Sequence, residues 1–362
     1  MRARDTAFIR KLCSLPLSAQ GTAQCVLPAL RALIPAHSGA VFWVDDKYEI
    51  ANLYAERMLS PVTMSAYYER HYRAARRGFG AAFRQRAAQA DPVSAATFSA
   101  AERDSEYFRD VMQPLDAYHV LYGILAERQK PFAQLSLYRG RGDAPFERED
   151  AATLRGLLRY VADGLAPRRS TQNVDPIWIT VEEHLGIVAP EGTILSAPDP
   201  WMRLLRLATL SEVSPRGAVD EGPAIRAFVA RLNEQMRARA RQSLPPQSTH
   251  ETPWGRFSIR GFAIADAHGH PDGRTALLIR REEPRTVALV RGTGHSTLSP
   301  QQREVALLIA EGRSNPEVAT ELGLSLNTAS YHVKEVFRRL GVRERGAVAE
   351  RLLELSRAQE VS

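Results

Sequence analysis

Cysteine is nearly absent: Cys13 and Cys25 are the only two in 362 residues. Two cysteines cannot frame a disulfide-stapled fold, and no CxxC pair offers a structural zinc site. Long apolar runs are missing as well. None approaches the roughly 20 residues that span a bilayer. The opening stretch MRARDTAFIRKLCSLPLSAQ is broken by Asp5, Arg10 and Lys11, which argues against a signal peptide. The expected setting is therefore the reducing cytoplasm, with no membrane contact. Lysine is scarce too. Lys11, Lys47, Lys130 and Lys334 are the only lysines among 48 basic residues, so the net charge of +7 is carried by arginine. A GC-rich genome gives the same bias, so bulk charge is weak evidence for a nucleic-acid partner. There is no G-x-S-x-G, no P-loop and no convincing Cys/His pair. The expectation is no enzyme, no catalytic residues and no cofactor.

What is present describes a folded chain. Hydrophobic residues make up 44% and charged residues 25%, a globular composition long enough for two or three domains. In residues 1–166, a helix near Ala23–Leu33 precedes strands Ala40–Val44 and Glu49–Tyr54. Helical Ala66–Ala88 follows, then strands Val120–Ala126 and Ala133–Tyr138, and a closing helix Glu147–Gly164. That order resembles a GAF-like sensor domain. Pro167–Asp175 reads as a linker. Residues 176–282 give a strand Trp178–Val188, a turn, a helix Pro200–Leu210, and strands Gly255–Ile264 and Thr275–Arg280, an order resembling a PAS-like domain. Residues 283–297 read as a linker that can hold a short helix in its middle, around apolar Val287–Val290.

Residues 298–362 are the most legible. Ser299-Pro300-Gln301-Gln302 is an N-cap, a proline at the first helical position and a capping-box glutamine. Val305, Leu308 and Ile309 form one apolar face before Gly312 stops the helix. Ser314-Asn315-Pro316-Glu317 is a second capping box, ahead of Val318, Ala319 and Leu322, and Gly323 ends that helix. Ser325 caps a third, whose apolar positions Ala329, Val333, Val336, Phe337 and Leu340 follow the helical period before Gly341. A fourth helix is expected over Arg345–Leu355. Two helices joined by the turn around Gly323–Ser325 make a helix-turn-helix.

The motifs Leu298-Ser299-Pro300, Glu304-Val305, Glu311-Gly312, Ser314-Asn315, Glu317-Val318-Ala319, Thr328, His332-Val333, Leu340-Gly341-Val342 and Arg345 resemble the LuxR/FixJ/NarL-type effector domain. The match covers about one sixth of the chain. The fold class so implied is α+β: two sensor-like α+β domains, GAF-like and PAS-like, then an all-α four-helix DNA module. The implied function is a bacterial transcription regulator acting on double-stranded DNA. A homodimer, RNA polymerase and an unknown small-molecule ligand are its further expected partners. By resemblance Ser330, Tyr331 and Lys334 sit at base-reading positions, with Asn327 and Thr328 beside them. Lys334, Arg338, Arg339, Arg343 and Arg345 would meet phosphate. The family usually has Val-Lys where this chain has Ala329-Ser330, and Tyr331 is unusual, so base preference should differ. Pairing through the fourth helix would use Val348, Leu352 and Leu355.

Other signals compete with this reading. From Leu298 onward there are nine basic and nine acidic residues, so DNA binding would rest on placement of charge. The alternative is a protein-interaction scaffold whose LuxR-like end no longer binds DNA. Asp45-Asp46, Asp91 and Lys130-Pro131 imitate a phospho-receiver, but Asp91 follows no apolar strand. The run from Asp266 to Asp272, with His268 and His270, has metal-ligand residue types but is better explained as a polar turn, and no metal is expected. Tyr67, Tyr68, Tyr72, Trp43, Tyr54 and Tyr122 offer an aromatic pocket, with packing the favoured use of most of them.

Overall fold

The computed structural model describes residues 3–15, 17–57, 59, 64, 67–73, 79–167, 177–239, 247–265, 268 and 270–358. Two five-stranded antiparallel sheets and a helical C-terminal module make up the chain.

The first sheet holds β1 (Ser38–Val44), β2 (Ile50–Ala55), β3 (Val93–Thr97), β4 (His119–Glu127) and β5 (Lys130–Arg139), in the order β2-β1-β5-β4-β3. Helices α1 (Ala3–Cys13), α2 (Ala19–Leu33) and α5 (Arg148–Leu165) pack together, and α2 and α5 lie on this sheet. Alternation along β5 explains the arrangement: Ala133, Leu135 and Leu137 join the helices in one core, because successive strand residues face opposite sides. Over the other face run α3 (Phe79–Ala87), the short α4 (Ala100–Arg103) and two π-helical turns, Tyr68–Arg73 and Phe108–Met112. Of the single helix expected over Ala66–Ala88, the described residues show the π-helical turn Tyr68–Arg73 and α3, and residues 74–78 lie outside them.

The second sheet holds β6 (Trp178–Val188), β7 (Ile194–Ser196), β8 (Gln247–Thr252), β9 (Gly255–Ala265) and β10 (Pro271–Pro284), in the order β7-β6-β10-β9-β8. Counted within its own unit, each sheet has the order 2-1-5-4-3. Helix α6 (Asp199–Thr209) lies on the second sheet, and α7 (Ala218–Arg239) packs on α6. Trp201, fully buried, donates its indole N–H to the Leu277 carbonyl at 2.9 Å. The β8–β9 turn joins the two units. Trp254 is fully buried there, with ring centroids 6.3 Å from Trp43 and 5.9 Å from Tyr54, and its backbone carbonyl accepts from Gln24.

The short helix allowed for in the middle of the expected 283–297 linker takes up most of that segment. α8 (Arg285–Gly294) follows β10 directly and buries Val287, Ala288, Leu289 and Val290. Four helices complete the chain: α9 (Pro300–Ala310), α10 (Asn315–Leu322), α11 (Leu326–Leu340) and α12 (Gly346–Ala358). α8 packs lengthwise on α12 and also touches α1, α2 and α9. At Gly292 a Cβ would stand 2.0 Å from the Leu352 carbonyl oxygen, so only glycine allows this approach. Arg291 on α8 pairs with Glu283 of β10 and donates from Nε to Ser356 Oγ on α12 at 2.9 Å, all three buried. The apolar middle of the segment is what makes it core rather than tether. Of the other expected linker, Pro167–Asp175, only Pro167 lies within the described residues. Among the described residues no helix is long and apolar enough to cross a membrane.

Candidate nucleic-acid interface

The C-terminal helices start and stop where their capping residues dictate. Ser299 and Gln302 form one reciprocal capping box, Ser314 and Glu317 another. The second holds the Glu317 carboxyl below its usual range, chiefly through the Ser314 backbone N–H. Gly323 ends α10 in the left-handed region (φ 63°, ψ 35°), where a β-carbon is strained. Ser325 then accepts from the Thr328 N–H at 3.1 Å and opens α11. The helix-turn-helix angle is set by these local bonds and by the buried set Val318, Ala319, Ala329, Val333 and Val336.

α11 buries Ala329, Val333, Val336 and Leu340. Its other face presents Asn327, Tyr331, Lys334 and Arg338 to solvent at helical spacing, with Tyr331 61% exposed. Thr328 is exposed too, its hydroxyl bonded to Ser325 Oγ at 2.8 Å. A helix of this diameter enters a groove about 12 Å wide.

The remaining expected site residues fall into two groups. Ser330 accepts from Asn315 Nδ2 at 3.2 Å, and Arg345 donates to Asn315 Oδ1 and to the Arg313 carbonyl. Ser330 and Arg345 therefore brace α10, α11 and the approach to α12 against each other. Arg338 holds Glu335 through two bonds of 3.0 and 2.8 Å, which keep the Glu335 carboxyl below its ordinary range. Arg339 donates to the Thr297 carbonyl at 2.9 Å and lies 3.6 Å from Glu335. Lys334 and Arg343 are exposed without an ion-pair partner among the described residues. Leu326, 52% exposed beside Asn327, was not anticipated. Its only sequence signal is an apolar residue directly after the Ser325 cap, in step with the buried set yet left exposed in the first turn.

The stripe expected on the fourth helix is not free. Val348 and Leu352 are fully buried, and Leu355 is half-buried. α8 and α9 occupy that side of α12, so pairing through it in this arrangement is excluded by packing.

The model of the bacterial regulatory proteins of the luxR family matches residues 296–351. These residues form a LuxR-family helix-turn-helix domain. The transcriptional regulatory protein MctR of Rhizobium johnstonii (strain DSM 114642 / LMG 32736 / 3841) is 41% identical to the chain over 49 residues. That stretch is 14% of this chain and 23% of MctR, so the chain spans under a quarter of that relative. Among solved structures, a Vibrio cholerae VqmA dimer without its target DNA is 15% identical, covering 49% of this chain and 83% of VqmA at a TM-score of 0.20. The sensor region of a sensor histidine kinase is 12% identical, covering 72% of this chain and 90% of that one at a TM-score of 0.19.

The turn from Asp266 to Asp272 falls partly outside the described residues, and His268 and His270 are exposed. No group of three or more His, Cys, Asp or Glu suited to a metal occurs among the described residues. Of the aromatic set, Tyr67 and Tyr122 line a cavity in the first unit, while Trp43 and Tyr54 pack on Trp254. Tyr68 lies on a π-helical turn, and the Tyr72 side chain lies outside the described residues.

Proposed function

We propose that the chain is a DNA-binding transcription regulator whose α11 reads a major groove and whose two sheet units control that binding. The observation that carries this is the exposed Asn327, Tyr331, Lys334, Arg338 face of α11 on a LuxR-family module. Lys334 and Arg343 are the available phosphate contacts, joined by Arg338 when it exchanges Glu335 for phosphate. Tyr331 and Asn327 meet base edges, and Leu326 is suited to a thymine methyl. Ser330 and Arg345 act as braces. A homodimer on a two-fold site, and contact with RNA polymerase, belong to the same reading. Pairing through α12 then requires α8 to leave Val348 and Leu352, which gives the sheet units a way to hold the module back.

The test selects binding sites for the full chain from random DNA and measures affinity against salt. Lys334→Ala should weaken binding and lower the salt slope by about one, while Tyr331→Ala changes the preferred sequence. Full-chain binding at no site, in any salt, rejects the reading. The scaffold alternative draws on the ties of Arg338 and Arg339 to Glu335 and of Arg345 to Asn315, which leave few free cations. It predicts that failure.

A further inference from the structure

Two polar side chains in β5 have no place in an ordinary core. Gln134 is 3% exposed and Ser136 is fully buried, on the face turned away from α2 and α5. Buried polar groups are costly unless bonded. Here they form a chain: Arg86 Nη1 donates to Gln134 Oε1 at 3.1 Å, and Gln134 Nε2 donates to Ser136 Oγ at 3.1 Å. The chain fronts a cavity of about 430 Å³, within the range of small-molecule sites and more than ten times the ~30 Å³ share of a liquid water.

Its walls are aromatic and its charge is of one sign. Phe42, Phe79, Tyr107 and Tyr122 present ring surface to it. Tyr107 is 39% exposed and lines the cavity, and burial raises its phenol pKa. Among the described residues the lining includes Arg57, Arg70, Arg86 and His71 and no Asp or Glu. His71 and Arg70 are answered from behind by Asp110, at 2.9 and 3.6 Å. Arg57 donates to the Leu115 carbonyl. Arg86 differs: its guanidinium stacks 3.9 Å over the Tyr122 ring and bonds Gln134, with no carboxylate at ion-pair distance among the described residues. A guanidinium has five N–H donors in a fork matched to a carboxylate. A half-buried fork with donors to spare, beside ring faces, calls for an anion joined to a flat apolar body.

We propose that this cavity binds a small aromatic carboxylic acid, its carboxylate on Arg86 and its ring among Phe42, Tyr107 and Tyr122. Pro215, from the second unit, also lines the cavity. Its neighbour Val213 is tied to the first unit, donating to Asn52 Oδ1 at 2.7 Å and accepting from the Leu53 N–H at 2.7 Å. The cavity therefore reaches both units. Only that consequence, control of DNA binding, rests on the function proposed above.

The experiment titrates the full chain, with no DNA present, with cinnamate, phenylacetate, 2-naphthoate and indole-3-acetate, each against its neutral amide. Calorimetry and thermal shift give the readouts. At least one acid should bind one per chain, with its amide at least about tenfold weaker, the loss of a charged hydrogen bond. Arg86→Gln should lose the acid while the chain still folds, with a modest drop in the unliganded melting temperature from the lost bond to buried Gln134. Arg86→Lys, which keeps the charge, should retain part of the affinity and covers the case in which the glutamine variant does not fold. No acid binding at millimolar concentration, an amide binding as well as its acid, or undiminished binding to the folded Arg86→Gln chain would each overturn the site. A chain that takes the acid but ignores DNA would reject the proposed function and leave the site standing.

Discussion

The two sheets run in the same order but are filled differently. In the second unit, Trp201 and Met236 press onto the sheet, and a Cβ on Gly186 or Gly261 would lie 2.5 Å from Trp201 or 2.8 Å from Met236. In the first, the corresponding space holds the cavity fronted by Gln134 and Ser136. The helix after the last strand differs too. α5 returns onto its own sheet, whereas α8 packs on α12 of the DNA module. One strand order thus serves two purposes: a unit with room inside it, and a unit with Trp201 and Met236 pressed onto its sheet, whose last strand leads through α8 to the DNA module.

Replacing the filler of the second sheet should have the largest effect. Trp201→Ala should cost about 3–5 kcal/mol in denaturant unfolding. Phe42→Ala, at a ring facing empty space, should cost clearly less, because a group beside a void has fewer contacts to lose. Equal losses would break the contrast between the two sheets. Next comes the difference in the closing helices. Gly292→Ala should cost about 2–3 kcal/mol, since the new methyl meets the Leu352 carbonyl. It should also open the α8–α12 seam to limited proteolysis before the sheets melt. Protection unchanged from the parent would place the seam elsewhere.

Smaller effects sharpen the same contrast. Ser136→Ala should cost about 1 kcal/mol at most, because the cavity lets Gln134 find another partner; a larger loss by calorimetry would mean the polar chain is structural. Smallest is a pH effect on the α8 side. Burial, then Arg291 and Arg303, push the His295 pKa down. The unfolded chain then binds the proton more readily, so stability falls as pH drops through about 6.5. His295→Gln should flatten that slope, and melting curves from pH 8 to 5.5 would reveal an unchanged one.

The DNA module was legible because its signals are local. Ser299, Ser314, Ser325, Gly323 and Gly341 each act within four residues, and all stand at the helix ends where their chemistry puts them. The strands β1, β4, β5, β6 and β9 could be read from β-branched and apolar runs. β3, with its two alanines, and α7, with Pro223 inside it, lack such a signal. The sequence allows α8 only as a short helix inside a linker, because Gly292 and Gly294 look like breakers. Their role is set by what presses on them, Leu352 and Phe8, and no local pattern records that. Arg86 was hidden likewise: its proposed role rests on having no carboxylate at ion-pair distance among the described residues, which only the fold decides.

The Phe8 contact also orders events in time. α1 lies against α5 and across α8 and α9, and the Phe8 ring stands 2.5 Å from where a Gly294 Cβ would be, with the Arg303 guanidinium 5.8 Å from it. During synthesis from the N-terminus, α1 can settle on α5 early, but Phe8 waits for partners almost three hundred residues downstream. Closure over such a span is slow to nucleate although its entropic cost grows only logarithmically with length. The nascent chain therefore leaves the side of Phe8 that meets α8 and α9 uncovered until those helices emerge, and their docking is the step that seals it.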